Sequence, residues 1–262
     1  MDRVALDLGF IQIYWYSITM LFGIVMGGLV TYLEVKRHKI NVQDFENMIF
    51  YAILFGFLGA RIYYVIFNLD YYLKNPSEII AIWNGGLAIH GAIIAACITI
   101  FYWYKKKKIS FVKMLDICVP GLLNGQVIGR WGNFFNGEAH GGVVSLSFLE
   151  SLHLPDFIIK GMYIGGEYYH PTFLYESCLN FVCFIVLMFL RYNKKIRTGT
   201  FVSIYLIWYG IVRFIVESFR TDSLMLGSLR MAQVISIIAI ILGIVVGYFS
   251  RKGDNYNKIN EQ

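Results

Sequence analysis

Hydrophobic residues occur along this chain in seven long runs, which polar or charged segments separate. A helix needs about 20 residues to cross the hydrocarbon core of a bilayer, which is roughly 30 Å thick, and each run approaches that length. We predict seven membrane-spanning helices, over residues 13–34, 46–68, 87–104, 116–136, 172–191, 199–218 and 230–249. Runs such as residues 237–246 are apolar on every side, so the alternating strands of a membrane barrel do not fit.

The composition agrees with an integral membrane protein. Hydrophobic residues make up 57% of the 262 positions and charged residues only 15%. Soluble domains carry about 25% charged residues. The sequence therefore predicts an all-α, polytopic membrane protein, organised as a single transmembrane domain over residues 1–262. The first run is of full helix length without a basic leading segment or a small-residue cleavage site, so we expect it to remain in place.

The longest connection, residues 137–171, joins the fourth and fifth predicted helices. A connection of this length is usually either functional or disordered. Its aromatic and aliphatic content argues against disorder. We predict that residues 137–171 form a small extracytoplasmic cap over the membrane domain.

Lysine and arginine residues fall mostly on one side of the predicted helices. Fifteen of them follow the first, third, fifth and seventh helices, and five lie in the segments on the opposite side. Because positively charged loops stay in the cytoplasm, the N-terminus is predicted outside and the C-terminus in the cytoplasm. The formal net charge of +6 is thus explained by topology and does not indicate a nucleic-acid partner.

Three arginines, Arg61, Arg130 and Arg213, lie toward the outer halves of predicted helices. A charge at membrane depth is unfavourable by about 3 kcal/mol on insertion scales, so a chain that keeps one normally uses it. Guanidinium groups bind phosphate oxygens through two parallel hydrogen bonds, which favours an anion-binding site. The alternative is a structural ion pair between Arg213 and Glu217, which share one helix face with Tyr209 at four-residue spacing.

The histidines and cysteines give weaker signals. His90 stands at the outer start of the third predicted helix with glycines on both sides, and either packing or function explains it. A metal site built from His140, His170 and Glu138 lacks the usual ligand spacing, so we expect neither a metal nor another cofactor. The four cysteines all fall in predicted helices and are expected to be small core residues.

Five segments of the chain carry a family resemblance. They are, in chain order, Trp15 and Tyr16, Gly85 to Gly91, Gly129 to Gly141, His170 to Glu176, and Tyr209 to Arg220. Together they resemble the prolipoprotein diacylglyceryl transferase family, in the same order and across nearly the whole chain. Two positions depart from the family pattern: His140 stands where relatives often have an aromatic or apolar residue, and Phe173 where glutamine is common.

The resemblance implies an enzyme, a phosphatidylglycerol–prolipoprotein diacylglyceryl transferase of the bacterial cytoplasmic (plasma or inner) membrane. Such enzymes move the diacylglyceryl group of phosphatidylglycerol onto the lipobox cysteine thiol in a prolipoprotein signal peptide, forming a thioether and releasing glycerol-1-phosphate. The implied partners are phosphatidylglycerol, the prolipoprotein and membrane lipid. A secondary transporter or channel for an anionic substrate is the alternative, but the internal repeat typical of transporters is not visible.

The resemblance also implies which residues form the site. Arg130 and Arg213 match positions that would hold the phosphate and stabilise charge on the leaving group. His90 matches a catalytic histidine that either takes the thiol proton or orients the headgroup. Further matching positions are expected to contact substrate or support the arginines: Tyr16, Asn133, Glu138, Gly141, Tyr209 and Glu217. Arg61 is added to this substrate-binding set on its membrane depth alone.

Overall fold

The computed structural model describes residues 3–9, 12–82, 85–107, 110–221, 225–226 and 229–258, and most of them are helical. The helices are α1 (Trp15–Arg37), α2 (Val42–Phe67), α3 (Leu69–Lys74), α4 (Ile89–Lys107), α5 (Phe111–Asn136), α6 (Leu146–Ser151), α7 (Asp156–Gly161), α8 (Thr172–Leu190), α9 (Thr200–Phe219) and α10 (Met231–Ser250), with a 3-10 turn over Pro76–Ile80. The strands are β1 (Val4–Asp7), β2 (Gln12–Tyr14), β3 (Val143–Val144), β4 (Tyr163–Ile164), β5 (Glu167–Tyr169), β6 (Met225–Leu226) and β7 (Leu229–Arg230). They pair antiparallel as β1–β2, β3–β5–β4 and β6–β7.

Every predicted apolar run coincides with a long helix. Among the described residues, six helices are long and apolar enough to cross a membrane: α1, α2, α5, α8, α9 and α10. The helix of the third run, α4, has 19 residues but ends in the three lysines of Lys105–Lys107, so its apolar part is shorter. The prediction of an all-α, polytopic membrane protein is confirmed, and the count of seven spans stays a prediction.

The surfaces of these helices are those of a protein solvated by lipid. α10 leaves Ile237, Ile241 and Ile244 about half exposed, and only 11% of its most apolar stretch is buried. In water, exposed apolar area is unfavourable by about 25 cal/mol per Å². Lipid tails are as apolar as these side chains, so the exposure carries no such cost in a bilayer.

The chain divides into two compact units. The first comprises the residues up to Glu34 together with those from Leu115 onward, and the second comprises Val35–Met114. The first unit therefore contains α8, α9, α10 and nearly all of α5, whereas the second contains α2, α3 and α4. Arg130 and Arg213 belong to the first unit, and Arg61 and His90 belong to the second.

Small residues bring the helices of the first unit close together. A Cβ atom on Gly210 of α9 would lie 2.7 Å from the carbonyl oxygen of Ser236 on α10. The hydroxyl of Ser203 donates to the carbonyl oxygen of Gly243 across the same pair, at 2.8 Å. Close backbone approach and interhelical hydrogen bonds are the usual means by which helices associate in membranes, and here they fix α9 against α10.

Residues 137–171 fold into a small ordered segment containing β3, α6, α7, β4 and β5. Its apolar centre consists of Leu149, Ile158 and Met162, which cluster with Phe134 of α5 and Phe173 of α8. The rings of Phe134 and Phe173 stack with centroids 4.7 Å apart. The segment is thus anchored on the two helices that it connects, and its location outside the membrane stays a prediction.

The residues that follow α10 pack against other parts of the first unit. Tyr256 is fully buried, with its ring centroid 4.5 Å from that of Phe201. Its hydroxyl donates to the buried carboxylate of Glu34 at 3.1 Å, and Arg191 pairs with the same carboxylate at 2.5 Å. These contacts connect the end of α8, the start of α9 and the last turns of α1.

Candidate active site

The two arginines of the first unit meet at one carboxylate. Nη2 of Arg130 on α5 lies 2.5 Å from Oε1 of Glu176 on α8, and Nη1 of Arg213 on α9 lies 3.6 Å from Oε2 of the same residue. Nη2 of Arg213 lies 2.7 Å from Oε2 of Glu217, one turn further along α9. Two guanidinium groups and two carboxylates therefore form one cluster between three helices.

The carboxylates are buried and the arginines are partly accessible. The side chains of Glu176 and Glu217 are each 2% exposed, compared with 23% for Arg130 and 16% for Arg213. Charges inside a membrane protein persist when they are paired or line a cavity. The four formal charges cancel. Because the guanidinium groups are the more exposed partners, an anion that reaches the cluster meets them rather than the carboxylates.

Several of these close contacts are ion pairs without hydrogen-bond alignment. Oε1 of Glu176, Oε2 of Glu217 and Nη1 of Arg213 are buried atoms without a hydrogen-bond partner. A misaligned pair keeps most of its Coulomb attraction but little of its directional hydrogen bonding. Nη1 of Arg213 is thus a donor without a hydrogen-bond acceptor, although it lies beside the Glu176 carboxylate.

The face of α9 that carries Tyr209, Arg213 and Glu217 points toward α5. Tyr209 stacks on Tyr205, with ring centroids 5.8 Å apart. The Tyr205 hydroxyl accepts a hydrogen bond of 2.9 Å from Nε2 of Gln126, one turn before Arg130 on α5. The ion pair between Arg213 and Glu217, the alternative role inferred from sequence, is present within a larger cluster.

Asn133 and Glu138 lie together where α5 ends. The Asn133 amide donates to Oε1 of Glu138 at 3.1 Å, and the backbone N–H of Glu138 donates to the carbonyl oxygen of Asn133 at 3.1 Å. Gly137 adopts φ +64° between them, a left-handed conformation that favours glycine and commonly terminates helices. The exposed Glu138 carboxylate is thus held just beyond the end of α5, eight residues after Arg130.

Gly141 and Tyr16 occupy close-packed positions around this region. The N–H of Gly141 donates to the carbonyl oxygen of His170 at 3.0 Å, and a Cβ on Gly141 would lie 2.6 Å from that of His170. Residue 141 must be glycine for the chain to pass there. Tyr16 of α1 packs on Gly132, where an added Cβ would lie 3.1 Å from its ring. Its half-buried side chain therefore lies beside the segment of α5 that carries Arg130.

His170 packs among aromatic side chains. Its Nδ1 lies 3.2 Å from the hydroxyl of Tyr175, and its ring packs at 4.9 Å from Phe148 and 5.4 Å from Phe219. Partial burial lowers the pKa of His170, because burial disfavours the charged imidazolium form. His140 instead packs on Tyr169, with centroids 4.0 Å apart.

The second unit holds the other two predicted residues. His90 lies in the first turn of α4 with an exposed side chain, and its ring centroid is 6.1 Å from that of Tyr63. Arg61 lies in α2, is 8% exposed and directs its donors to backbone carbonyl oxygens. Its environment thus differs from the partly accessible arginines of the first unit.

Sequence reasoning did not assign Glu176 to the site. An acidic residue within the apolar run of α8 is itself a signal, because an unpaired carboxylate at that depth is unfavourable. Gln126 was also not assigned, although it lies four residues before Arg130 on the same helix face. Both residues were recognisable as polar positions, but their partners on other helices were not.

Comparison with known proteins places the same segments in one family. The family described as prolipoprotein diacylglyceryl transferase matches residues 3–249. A phosphatidylglycerol–prolipoprotein diacylglyceryl transferase from Staphylococcus saprophyticus is 50% identical, over 94% of this chain and 88% of its own length. Another from Bacillus cereus is 51% identical over 96% and 93%, and one from Bacillus anthracis is 50% identical over the same shares.

Proposed function

Because this chain belongs to the prolipoprotein diacylglyceryl transferase family, we propose that it transfers the diacylglyceryl group of phosphatidylglycerol to the lipobox cysteine of a prolipoprotein. It is a transferase with several membrane-spanning helices. The observation that carries the proposal is the arginine pair: Arg130 and Arg213 converge on Glu176 and keep accessible guanidinium groups. Such a pair suits a lipid with one phosphate group.

In the proposed reaction, the cysteine thiolate attacks the carbon of the diacylglyceryl group that is bonded to the phosphate oxygen. A carbon–sulfur bond forms, the carbon–oxygen bond to phosphate breaks, and the electron pair leaves on the phosphate oxygen. The products are the thioether-linked diacylglyceryl peptide and glycerol-1-phosphate. Arg130 and Arg213 would stabilise the charge that develops on the leaving oxygen, as preorganised donors do in low-dielectric sites.

The proton of the substrate thiol needs an acceptor. A thiol has an unperturbed pKa of about 8.5, so few molecules are thiolate at pH 7 without help. We propose that His90 accepts this proton as a general base, since its imidazole, in the first turn of α4, is exposed and open to a substrate. Tyr16, Asn133, Glu138, Tyr209 and Glu217 are proposed to contact the headgroup or hold the arginines.

The alternative of a transporter or channel has less support. It would also explain arginines at membrane depth, but the curated relatives at about 50% identity share one transferase name. A transporter would further need a path through the protein, whereas the arginine cluster lies near one end of α5 and of α9. A catalytic site located at one end of these helices accounts for that placement.

The proposed orientation has the N-terminus outside the cytoplasmic membrane and the C-terminus in the cytoplasm, with one transmembrane domain over residues 1–262. Its support is the positive-inside bias of fifteen basic residues to five. In this orientation residues 137–171 form an extracytoplasmic cap, and the arginine cluster faces the leaflet from which a secreted prolipoprotein is reached.

The reaction is tested by incubating the purified protein with phosphatidylglycerol vesicles and a synthetic lipobox peptide. We expect mass spectrometry to detect the peptide with one added diacylglyceryl group, and an equal amount of glycerol-1-phosphate. A peptide with serine in place of the cysteine should stay unmodified, because an alcohol is a far weaker nucleophile than a thiolate at pH 7. A cysteine peptide that stays unmodified by folded protein would refute the proposed function.

The orientation is tested by cysteine labelling in intact cells. In a background without Cys97, Cys118, Cys178 and Cys183, single cysteines replace exposed lysines on the two predicted sides. Those at Lys74 and Lys160 should react with a membrane-impermeant thiol reagent, and those at Lys195 and Lys252 should not. All four should react after the cells are permeabilised. The opposite pattern in intact cells would reverse the proposed topology.

A further inference from the structure

Arg61 uses all of its hydrogen-bond donors on the backbone of its own unit. A guanidinium group has five N–H donors. Five contacts with carbonyl oxygens account for them: Nε to Ile79 at 2.9 Å, Nη1 to Gly85 at 2.7 Å and Gly86 at 2.9 Å, and Nη2 to Glu78 at 2.6 Å and Ala81 at 3.4 Å. The residue is 8% exposed, and the ring of Tyr72 lies 5.3 Å from its guanidinium carbon. No donor remains for a phosphate group.

The backbone that Arg61 holds leads directly into α4. Gly85 and Gly86 have φ values of +84° and +76°, which glycine adopts at low energy and other residues do not. Their conformation turns both carbonyl oxygens toward the same nitrogen of Arg61. A Cβ on Gly86 would lie 2.5 Å from Nη1 of Arg61 and 2.8 Å from the ring of Tyr64. A residue larger than glycine at position 86 would therefore collide with the Arg61 side chain in its present place.

Neighbours of Arg61 on α2 hold the next residues. The N–H of Ala88 donates to the carbonyl oxygen of Ala60 at 3.1 Å. Gly91 packs so closely on Gly59 that a Cβ on either glycine would collide with the backbone of the other. His90 lies between these two contacts, so the position of its backbone is set from both sides.

The imidazole of His90 is not itself held in this way. Its side chain is exposed, and within the part of the chain that the structure describes no hydrogen bond to it is found. Its ring lies 6.1 Å from that of Tyr63, which is a loose contact. The place of the imidazole therefore follows from where α4 begins.

We propose that Arg61 is a positioning residue, which gathers the carbonyl oxygens of Glu78, Ile79, Ala81, Gly85 and Gly86 and thereby fixes the start of α4 and the place of His90. The proposal rests on the proposed function insofar as it concerns turnover. Arg61 thus differs in role from Arg130 and Arg213: it binds the protein's own carbonyl dipoles, and the other two bind the anion.

The experiment compares the kinetics of the wild type with those of Arg61→Lys, His90→Gln and the double variant. Lysine keeps the charge but cannot span five carbonyl oxygens from one nitrogen. We expect Arg61→Lys to lower kcat about tenfold, because small displacements of a reacting group are costly, with the KM for phosphatidylglycerol within about twofold. Since both changes act through one imidazole, the double variant should be no slower than His90→Gln alone.

Other kinetic outcomes overturn the proposal. If the losses of the two single variants multiply in the double variant, Arg61 acts independently of His90. If Arg61→Lys raises the KM for phosphatidylglycerol about tenfold or more and leaves kcat unchanged, Arg61 binds the substrate and the transition state equally and is a substrate ligand. Wild-type kinetics in Arg61→Lys would remove the residue from any role in turnover.

Two further measurements extend the test to a second variant and to a readout other than activity. Gly86→Ala places a methyl group against Arg61 at a positive φ and should slow turnover as Arg61→Lys does, whereas Gly28→Ala, with nothing within 4 Å of the added Cβ, should not. Hydrogen exchange of residues 78–91 should be faster in both Arg61→Lys and Gly86→Ala and unchanged elsewhere. Unchanged exchange in this segment would refute the positioning role of Arg61 even if the wild type proved to catalyse a different reaction.

Discussion

Replacing Arg130 or Arg213 by lysine is expected to lower turnover on the order of 100-fold, the usual effect of losing one preorganised donor to a developing charge. Lysine keeps the positive charge beside Glu176 but replaces a planar fork of five donors with a compact ammonium group. Only the fork can hold two phosphate oxygens while the same side chain remains paired with a carboxylate. The measurement is kcat with phosphatidylglycerol and a lipobox peptide, beside the amount of each variant in the membrane.

A matched control is Arg251→Lys, which changes an exposed arginine beyond the end of α10 in the same way. This control should retain wild-type turnover. If the two arginines are only structural, their lysine variants should instead fail to accumulate, because buried Glu176 and Glu217 would be poorly paired. Near-wild-type turnover in either variant would exclude that arginine from the site.

The helices were predictable because the bilayer dictates their length. The runs predicted over 199–218 and 230–249 agree with α9 and α10 to within one residue at each end. Some helices extend beyond the predicted run: α2 begins at Val42, where Asn41 accepts a hydrogen bond from the N–H of Asp44. Apolar patterns locate the part of a helix that lies in hydrocarbon, and the polar turn beyond it depends on capping.

The sequence did not predict the internal structure of residues 137–171, although it did predict that this segment is ordered and not disordered. Its helices have six residues each and its strands two or three, too short for periodicity to reveal. They are stabilised by Phe134 and Phe173, which belong to the flanking helices. Elements this short form only when such distant residues pack on them.

For the candidate site, the sequence indicated the arginines but not the residues that they contact. Arg61, Arg130 and Arg213 have the same appearance in the sequence, each a single arginine in an apolar run. Their environments differ because the carboxylate of Glu176 lies on a neighbouring helix in one case and backbone carbonyl oxygens lie around Arg61 in the other. These different partners follow from the packing of α5, α8 and α9 against one another and of α2 with α4, which the sequence alone does not reveal.

Glu176→Gln is expected to lower kcat on the order of 100-fold, through loss of the geometry of the arginine pair. Glu176 is 2% exposed and is the carboxylate that both Arg130 and Arg213 approach. Glutamine has nearly the same shape, but its amide NH₂ faces one of the guanidinium groups as donor against donor. The cluster changes from no net charge to one positive charge, and the two cations repel each other without the shared anion.

The kinetic constants distinguish this account from a loss of substrate binding. An added positive charge favours an anionic lipid in the ground state, so the KM for phosphatidylglycerol should not rise while kcat falls. Glu176→Asp, which keeps the charge on a shorter side chain, should recover part of the lost turnover. Glu150→Gln, the same chemical change at an exposed position in α6, should have no effect. A Glu176→Gln variant with wild-type kcat would show that the arginines keep their catalytic geometry without the bridging carboxylate, and a raised KM with unchanged kcat would assign Glu176 to substrate binding instead.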